Sequence, residues 1–180
     1  WFSSIGNLFF SVLLRPKVSK KIISQLSFVA SLAVRQGLVN LTNDRENFIL
    51  KWPNDILYKN KKISGILLEC SPSKNNDLVD WVIIGIGINI KTIPNNLNNI
   101  TCLYEHSYFF ELTDVIKEVG NELEQFYNLW LVDSFEAIQK IWLKNCYPVG
   151  KEISVKINNK KISGKFHGIN KEGSLIIKLL

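Results

Sequence analysis

The residues best suited to chemistry form one stretch, Lys51-Trp52-Pro53-Asn54-Asp55, with Lys62 seven residues further on. Pro53 fixes its own backbone and favours an extended Trp52, so the polar pair Asn54-Asp55 leaves the strand end at a defined angle. Two lysines, an amide and a carboxylate brought together suit an anionic small molecule better than a hydrophobic core. A simple turn is the competing explanation, because Pro-Asn-Asp is common turn chemistry.

Lys62 is followed by Ile63-Ser64-Gly65, where the glycine permits close approach of a ligand to the backbone. The hexapeptide Asn-Lys-Lys-Ile-Ser-Gly at 60–65 recurs word for word at 159–164. The second copy has no Trp-Pro-Asn-Asp before it and no glycine-rich apolar segment after it. The hexapeptide is therefore not a site by itself, and Lys62 depends on its surroundings for any function.

The third element is Gly85-Ile86-Gly87-Ile88-Asn89, inside an almost continuously apolar stretch. It is not a dinucleotide-binding fingerprint, because the third glycine is absent and no helix is predicted after it. Two glycines in a buried strand mark a bulge, a flat ligand lying on the backbone, or a tight packing contact. Asn89 at the strand end offers both a donor and an acceptor. No nucleophile arrangement or carboxylate pair is evident, so catalysis would rest on positioning and charge stabilisation.

Composition excludes several classes of protein. The net charge of +6 comes from lysines spread along the chain, which predicts a solvated surface and no nucleic-acid partner. Three cysteines without CxxC spacing predict reduced thiols in a cytoplasmic protein, and the two histidines lack metal-ligand spacing. The apolar run at 8–14 is too short to span a bilayer, so no membrane partner is expected.

Periodicity predicts mixed secondary structure. Helices are expected from Ser19 to near Gly37, at 111–130 and at 133–144; strands are expected at 8–15, 48–52, 56–58, 62–69 and 78–90, the last buried on both faces. Three short strands follow Pro148. Without regular βαβ alternation, this order predicts an α+β protein with a mixed sheet and a small β appendage.

Taken together, these segments resemble the biotin protein ligases, also called biotin–acetyl-CoA-carboxylase ligases. The Lys-Trp-Pro-Asn-Asp block with the downstream Lys62 and Gly65-Ile66-Leu67 is the most specific part. Further matches are Trp1-Phe2-Ser3, Gly6-Asn7-Leu8, Ser11, Leu14-Arg15-Pro16, Gly85 to Asn89, Gly168-Ile169-Asn170 and Gly173-Ser174-Leu175. The resemblance implies a class II synthetase-like catalytic domain of the biotin/lipoate ligase type at 1–146 and an incomplete SH3-like domain at 147–180.

The implied activity has two steps: ATP and biotin give biotinyl-5′-adenylate, and the biotinyl group passes to a lysine of the biotin carboxyl carrier protein of acetyl-CoA carboxylase. Lys62 and Asp55 would be catalytic. Carried over by position, the biotin-binding residues are Lys62, Gly65, Ile66 and Gly85, and the ATP- and adenylate-binding residues are Lys51, Trp52, Asn54, Asp55, Asn89 and Trp1. No protein-held metal is implied; Mg²⁺ would arrive with ATP near Asp55. The resemblance also allows a homodimer.

Parts of the family pattern are absent from these 180 residues. The glycine–arginine-rich loop that would precede Trp1 is missing, and the chain contains no methionine. We therefore expect a chain truncated at both ends and catalytically incompetent alone. Two alternatives stay open: a lipoate–protein ligase or octanoyl transferase, which shares the fold and the lysine, and a non-catalytic truncated remnant.

Overall fold

The computed structural model describes residues 4–71, 78–93, 98–158 and 160–179. Within these ranges, two α-helices and eight strands carry the fold. In chain order the strands are β1 (Leu8–Leu14), β2 (Phe48–Lys51), β3 (Asp55–Tyr58), β4 (Lys61–Cys70), β5 (Val82–Ile88), β6 (Glu152–Ile157), β7 (Lys160–Ile169) and β8 (Leu175–Leu179). The helices are α1 (Leu26–Thr42) and α2 (Leu112–Lys144), with short 3₁₀ helices at Lys20–Gln25 and Tyr104–His106. The α+β class predicted from the sequence is confirmed.

The main sheet has the order β1-β5-β4-β3-β2, and each neighbouring pair is antiparallel. The expectation of a mixed sheet is therefore wrong for these strands. β2, β3 and β4 follow one another through short turns, and such connections can join only antiparallel neighbours. The turn between β3 and β4 contains Lys59 and Asn60, both with positive φ, as the Lys-Asn-Lys sequence predicts.

Helix α1 covers one face of the sheet and is itself buried by α2. Lys20–Thr42 is long and apolar enough to cross a membrane by composition alone, but 83% of its most apolar window is buried inside the protein, so packing in the core accounts for that composition. The helix does not end near Gly37 as expected; it ends where Asn43 adopts a left-handed conformation. Gly37 instead allows α1 to pack closely against Val119 of α2, since a Cβ added at position 37 would lie 3.0 Å from a Val119 methyl.

Helix α2 contains a break at Ser134, where φ is 66° and ψ is 178°. The two helices predicted at 111–130 and 133–144 are thus two segments on either side of this residue. Their buried residues include Val115, Leu123, Phe135 and Trp142, which pack in one core cluster with α1 and the sheet.

The C-terminal strands form a separate three-stranded antiparallel sheet, β6-β7-β8. Phe166 and Ile169 join it to the main core. Gly173 in the β7–β8 turn has φ 84°, and a Cβ there would lie 2.7 Å from the ring of Phe28. Only glycine satisfies both the left-handed backbone and this close approach.

Candidate active site

The face of the sheet that points away from α1, here called the open face, carries a row of glycines. Ile66 and Ile86 are buried toward α1, and side chains alternate along a strand, so Gly65, Gly85 and Gly87 face the other way. Gly65 pairs with Gly87 on one side and with Asp55 on the other, and Gly85 pairs with Leu67. These three residues, the glycine row, place backbone without side chains beside Asp55; Gly65 and Gly87 are buried and Gly85 is half-buried.

The structure narrows the explanations for these glycines. β5 pairs without interruption with both β1 and β4, so there is no bulge at Gly85 or Gly87. A Cβ at Gly85 would have its nearest neighbours 3.6 Å away, on Leu67, which is ordinary van der Waals contact. Tight packing therefore does not require a glycine at position 85. For Gly85, close approach of a flat ligand is therefore the explanation that the geometry favours.

Asp55 links two lysines at the edge of the glycine row. Its carboxylate lies 2.5 Å from Lys62 Nζ and 3.7 Å from Lys51 Nζ. The pairing of β3 with β4 shifts register between Ile56 and Leu57, which brings Lys62 opposite Leu57. Relative exposure is 16% for the Asp55 side chain, 37% for Lys62 and 47% for Lys51. Both ammonium groups can therefore be reached by an anion from solvent.

The backbone of Lys62 is held by a segment that sequence reasoning missed. Lys62 N–H donates to the carbonyl of Asn99 at 2.8 Å, and Thr101 N–H donates to the carbonyl of Lys62 at 2.9 Å. Asn89 ties this segment to β5, since its Nδ2 donates to the Thr101 carbonyl at 3.2 Å and its backbone N–H donates to the Ile63 carbonyl at 2.9 Å. Asn89 is thus brought close to Lys62. An asparagine-rich loop carries no sequence signal for such a role.

Behind this segment lies a polar cluster. Thr101 Oγ1 donates to Glu105 at 2.7 Å and lies 2.8 Å from His106 Nε2. The His106 ring packs edge-on against Tyr58, whose hydroxyl donates to Asp44 at 2.8 Å. Burial, and then the positive charge of Lys59, lower the pKa of His106. Burial, and then the hydrogen bond to Asp44, raise the pKa of Tyr58.

Asn54 completes the strand ladder. Its carbonyl accepts from Ile66 N–H at 2.9 Å, and its Nδ2 donates to the Ile66 carbonyl at 2.6 Å. The side-chain amide thus takes the place of a backbone donor at the end of β3. Trp52, joined to Pro53 by a cis peptide, points its indole toward the C-terminal sheet, where Nε1 donates to the Gly173 carbonyl at 2.9 Å.

The structure does not bring every predicted residue to the open face. The Ile66 side chain is 1% exposed and lies in the core under α1, so Ile66 can face a ligand on the glycine row only through its backbone. Trp1 lies outside the described residues. A cleft of about 560 Å³ is lined by Trp52, Pro53, Asn54, Ile66 and Leu67 on one side and by Phe28 of α1, Leu175 and Ile177 on the other. None of the three glycines lines this cleft.

Two further residues near the site were not among the predicted site residues, although Asn7 belongs to a matching segment. Asn7 Oδ1 accepts from three consecutive backbone N–H groups, those of Ile90, Lys91 and Thr92, and fixes the chain that leaves β5. Tyr147 lies near Asp55: burial, and then the negative charge of Asp55, raise the pKa of its phenol. Both positions depend on contacts between residues far apart in the chain.

A metal ion would need ligands from outside the protein. Within the described ranges, no three His, Cys, Asp or Glu side chains lie close enough together to hold one. The carboxylate that lies next to the glycine row is that of Asp55, and it is already placed between two lysines. Asp55 fits Mg²⁺ only if the phosphate oxygens of a bound ligand supply most of the remaining ligands of the ion.

Comparisons with known proteins agree on one family. The family model described as "Biotin/lipoate A/B protein ligase family" matches residues 1–89. The "Bifunctional ligase/repressor BirA" of Bacillus subtilis is 31% identical over 99% of this chain, and the "Biotin--[acetyl-CoA-carboxylase] ligase" of Paracoccus denitrificans is 27% identical over the same share. The chain spans 56% of the Bacillus protein and 76% of the Paracoccus protein.

A solved structure gives the same result in three dimensions. The biotin protein ligase from Aquifex aeolicus, in complex with biotin and ATP, superimposes with a TM-score of 0.83. It is 31% identical in sequence, and the match covers 98% of this chain and 73% of that one. Identity at this level across most of both chains, together with the shared fold, shows that the chain belongs to the biotin protein ligase family.

Proposed function

We propose that this chain carries the biotin-activating site of a biotin–protein ligase. The reaction joins biotin and ATP to give biotinyl-5′-AMP and pyrophosphate. The biotinyl group then passes to a lysine of the biotin carboxyl carrier protein of acetyl-CoA carboxylase, where it forms an amide while the bond to AMP breaks and AMP is released. The observation that carries the proposal is the glycine row with Lys62 and Asp55 at its edge. A flat, uncharged ring system can approach the backbone at Gly85, where no side chain intervenes, and its carboxylate can reach the ammonium of Lys62.

Lys62 is the residue proposed to bind the biotin carboxylate and the developing charge at the α-phosphate. A cation about 4 Å from an anion is worth about 4 kcal/mol at an effective dielectric near 20. Such a charge stabilises the reaction when it is already in place before the anion forms. Asp55 supports this role, because it holds the Lys62 ammonium near the glycine row while no ligand is bound.

The residues around Lys62 are proposed to bind ATP and to receive the acceptor lysine. Lys51 and Asn89 lie on either side of the Asp55–Lys62 pair, and Asn54 closes the strand ladder between them. Asp55 is the carboxylate that would share Mg²⁺ with the phosphates of ATP, and the ion would neutralise part of the phosphate charge. Gly65 and Gly85 would form the floor of the biotin site.

Residues 147–180 are proposed to be part of an SH3-like C-terminal domain, with residues 1–146 in the catalytic domain. The three antiparallel strands β6, β7 and β8 support this division. The bond from Trp52 to Gly173 connects the second unit to the Lys-Trp-Pro-Asn-Asp block. A contact of this kind lets the C-terminal sheet help to fix the orientation of Asn54 and Asp55.

The test is biotin-dependent exchange of pyrophosphate into ATP, measured on the full-length product of the gene that encodes this chain. Exchange that needs biotin and that an excess of lipoate or octanoate does not inhibit supports the proposal. Exchange that depends on lipoate or octanoate instead of biotin would assign the site to the lipoate ligase and octanoyl transferase branch of the family. Tight biotin binding without any exchange would favour a binding protein without turnover.

A further inference from the structure

A second polar recess lies on the other side of the sheet edge. This cleft of about 580 Å³, here called the basic cleft, is bounded by α1, the start of β2 and the end of α2. Its charged lining residues are Arg35, Arg45, Lys144 and Glu46. Three cations thus face one carboxylate in a single recess, and none of them is used in the proposed reaction.

Arg35 is the unusual member of this group. It is only 5% exposed, yet both of its hydrogen bonds go to backbone carbonyls: Nε donates to Phe48 at 2.8 Å and Nη2 donates to Arg45 at 2.9 Å. Across the described residues, no carboxylate lies within ion-pair distance of its guanidinium. Burial, and then the charge of Arg45, lower the pKa of Arg35, while Glu46 acts in the opposite direction.

A guanidinium has five N–H donors, and the two carbonyls satisfy only two of them. Every fully buried side-chain nitrogen in the described ranges has a hydrogen-bond partner. The Nη1 atom of Arg35 has no acceptor among the described residues, so it must reach solvent, and the solvent next to it is that of the basic cleft. A buried cation without a counter-ion is costly, so an anion that enters this cleft gains the full charge-assisted interaction.

We propose that the basic cleft binds a phosphate dianion, either free inorganic phosphate or the phosphate group of a small monoester. The planar guanidinium of Arg35 matches two phosphate oxygens, and the exposed side chains of Arg45 and Lys144 lie at the rim. This site is separate from the glycine row and does not depend on the proposed ligase reaction. It adjoins the hydrogen bond of 2.8 Å from Leu50 N–H to the Asn145 carbonyl. Leu50 directly precedes Lys51 in the chain.

Binding is tested on the 180-residue chain by thermal unfolding and by calorimetric titration with inorganic phosphate and, separately, with glycerol 2-phosphate. Sodium chloride keeps the ionic strength constant, so general salt effects cancel. We expect both ligands, or phosphate alone, to raise Tm and to release heat at a single site. Binding of both identifies a site for a phosphate group, and binding of inorganic phosphate alone identifies a site for the free ion.

Three variants localise the effect. Arg45→Gln and Lys144→Gln each remove one rim charge without touching a hydrogen bond of Arg35, and each is expected to weaken phosphate binding about tenfold. Lys140→Gln is the matched control, because it removes one charge from α2 outside the cleft. If phosphate raises Tm no more than chloride does, or if all three variants bind it as tightly as the unchanged chain, there is no such site.

Discussion

The ammonium of Lys62 lies against the carboxylate of Asp55, 2.5 Å away, on the neighbouring strand of the same sheet. Asp55 is mostly buried, whereas Lys62 is more exposed, so the pair has a fixed acceptor and a more accessible donor. An anionic ligand on the glycine row would compete with Asp55 for the same ammonium. The ion pair therefore fixes the position of the Lys62 ammonium. An anionic ligand must bind this ammonium more strongly than Asp55 does.

Replacement of Lys62 is expected to abolish the proposed chemistry. Lys62→Gln keeps a polar side chain, one atom shorter, but removes the charge, and we expect biotin-dependent pyrophosphate exchange to fall about 100-fold. The duplicated hexapeptide supplies a control in the same chain: Lys161 occupies the equivalent position in β7 and is exposed. Lys161→Gln should leave the exchange rate unchanged. Equal losses in the two variants would remove Lys62 from the site.

Two glycines in different sheets, Gly85 in β5 and Gly164 in the second hexapeptide, are expected to respond in opposite ways. Gly85→Val places a branched side chain on the open face, where an added Cβ meets only ordinary contacts, so Tm should stay within about 2 °C while biotin binding weakens about tenfold or more. Gly164→Ala puts a Cβ 2.4 Å from Ile177 and 2.6 Å from the carbonyl of Lys178. We expect it to lower the free energy of unfolding by about 1–3 kcal/mol. Titration calorimetry and urea unfolding separate the two effects.

The connection between Trp52 and the C-terminal sheet is expected to contribute to stability. Trp52→Phe removes the donor to the Gly173 carbonyl and should lower the free energy of unfolding by about 1 kcal/mol. Gly173→Ala disturbs the same joint through its positive φ and its contact with Phe28. Because both changes act on one contact, the double variant should lose less than the sum of the two single losses. Strict additivity in urea unfolding would show that the two residues act separately.

Stability is expected to fall in mild acid because of His106. Its pKa in the folded protein lies below the unfolded value of about 6.5, owing first to burial and then to Lys59, so the unfolded chain takes up the proton first. The contribution of His106 is therefore complete above about pH 6.5 and is lost progressively as the pH falls toward the folded pKa. Urea unfolding at pH 5.5 and 7.5 measures the difference, which should shrink in His106→Gln. An unchanged difference would assign the acid sensitivity to other groups.

Local patterns predicted much of the fold, and they did so where the cause was local. The turn at Lys59-Asn60, the strands around it and the two segments of α2 follow from turn chemistry and periodicity. The end of α1 did not: Gly37 is a common helix terminator, but here it serves a contact with Val119 in another helix. Sheet order and the antiparallel β1–β5 pairing also depend on partners distant in the chain.

In the candidate site too, local sequence patterns predicted some residues, while contacts between distant residues became visible only in the structure. Sequence reasoning singled out Lys62, Asp55 and the glycines because several informative segments occur together, and the structure brings these residues to neighbouring strands. It assigned Gly65 and Ile66 to one ligand although adjacent strand residues face opposite sides, and the structure buries Ile66 under α1. The supports at Asn99 and Thr101, and the Trp52–Gly173 bond across 121 residues, arise from tertiary contacts that no short pattern encodes.

The sheet topology has a consequence for the order of folding. Strands β2, β3 and β4 pair as a meander of close sequence neighbours, so their contacts close only short loops. Strand β1 instead pairs Leu8 with Ile88 and closes a loop of about 80 residues. The Asp55–Lys62 pair lies within the meander, where local contacts can bring the two charges together early. The glycine row gains its full width only when β5 and then β1 add to the same sheet.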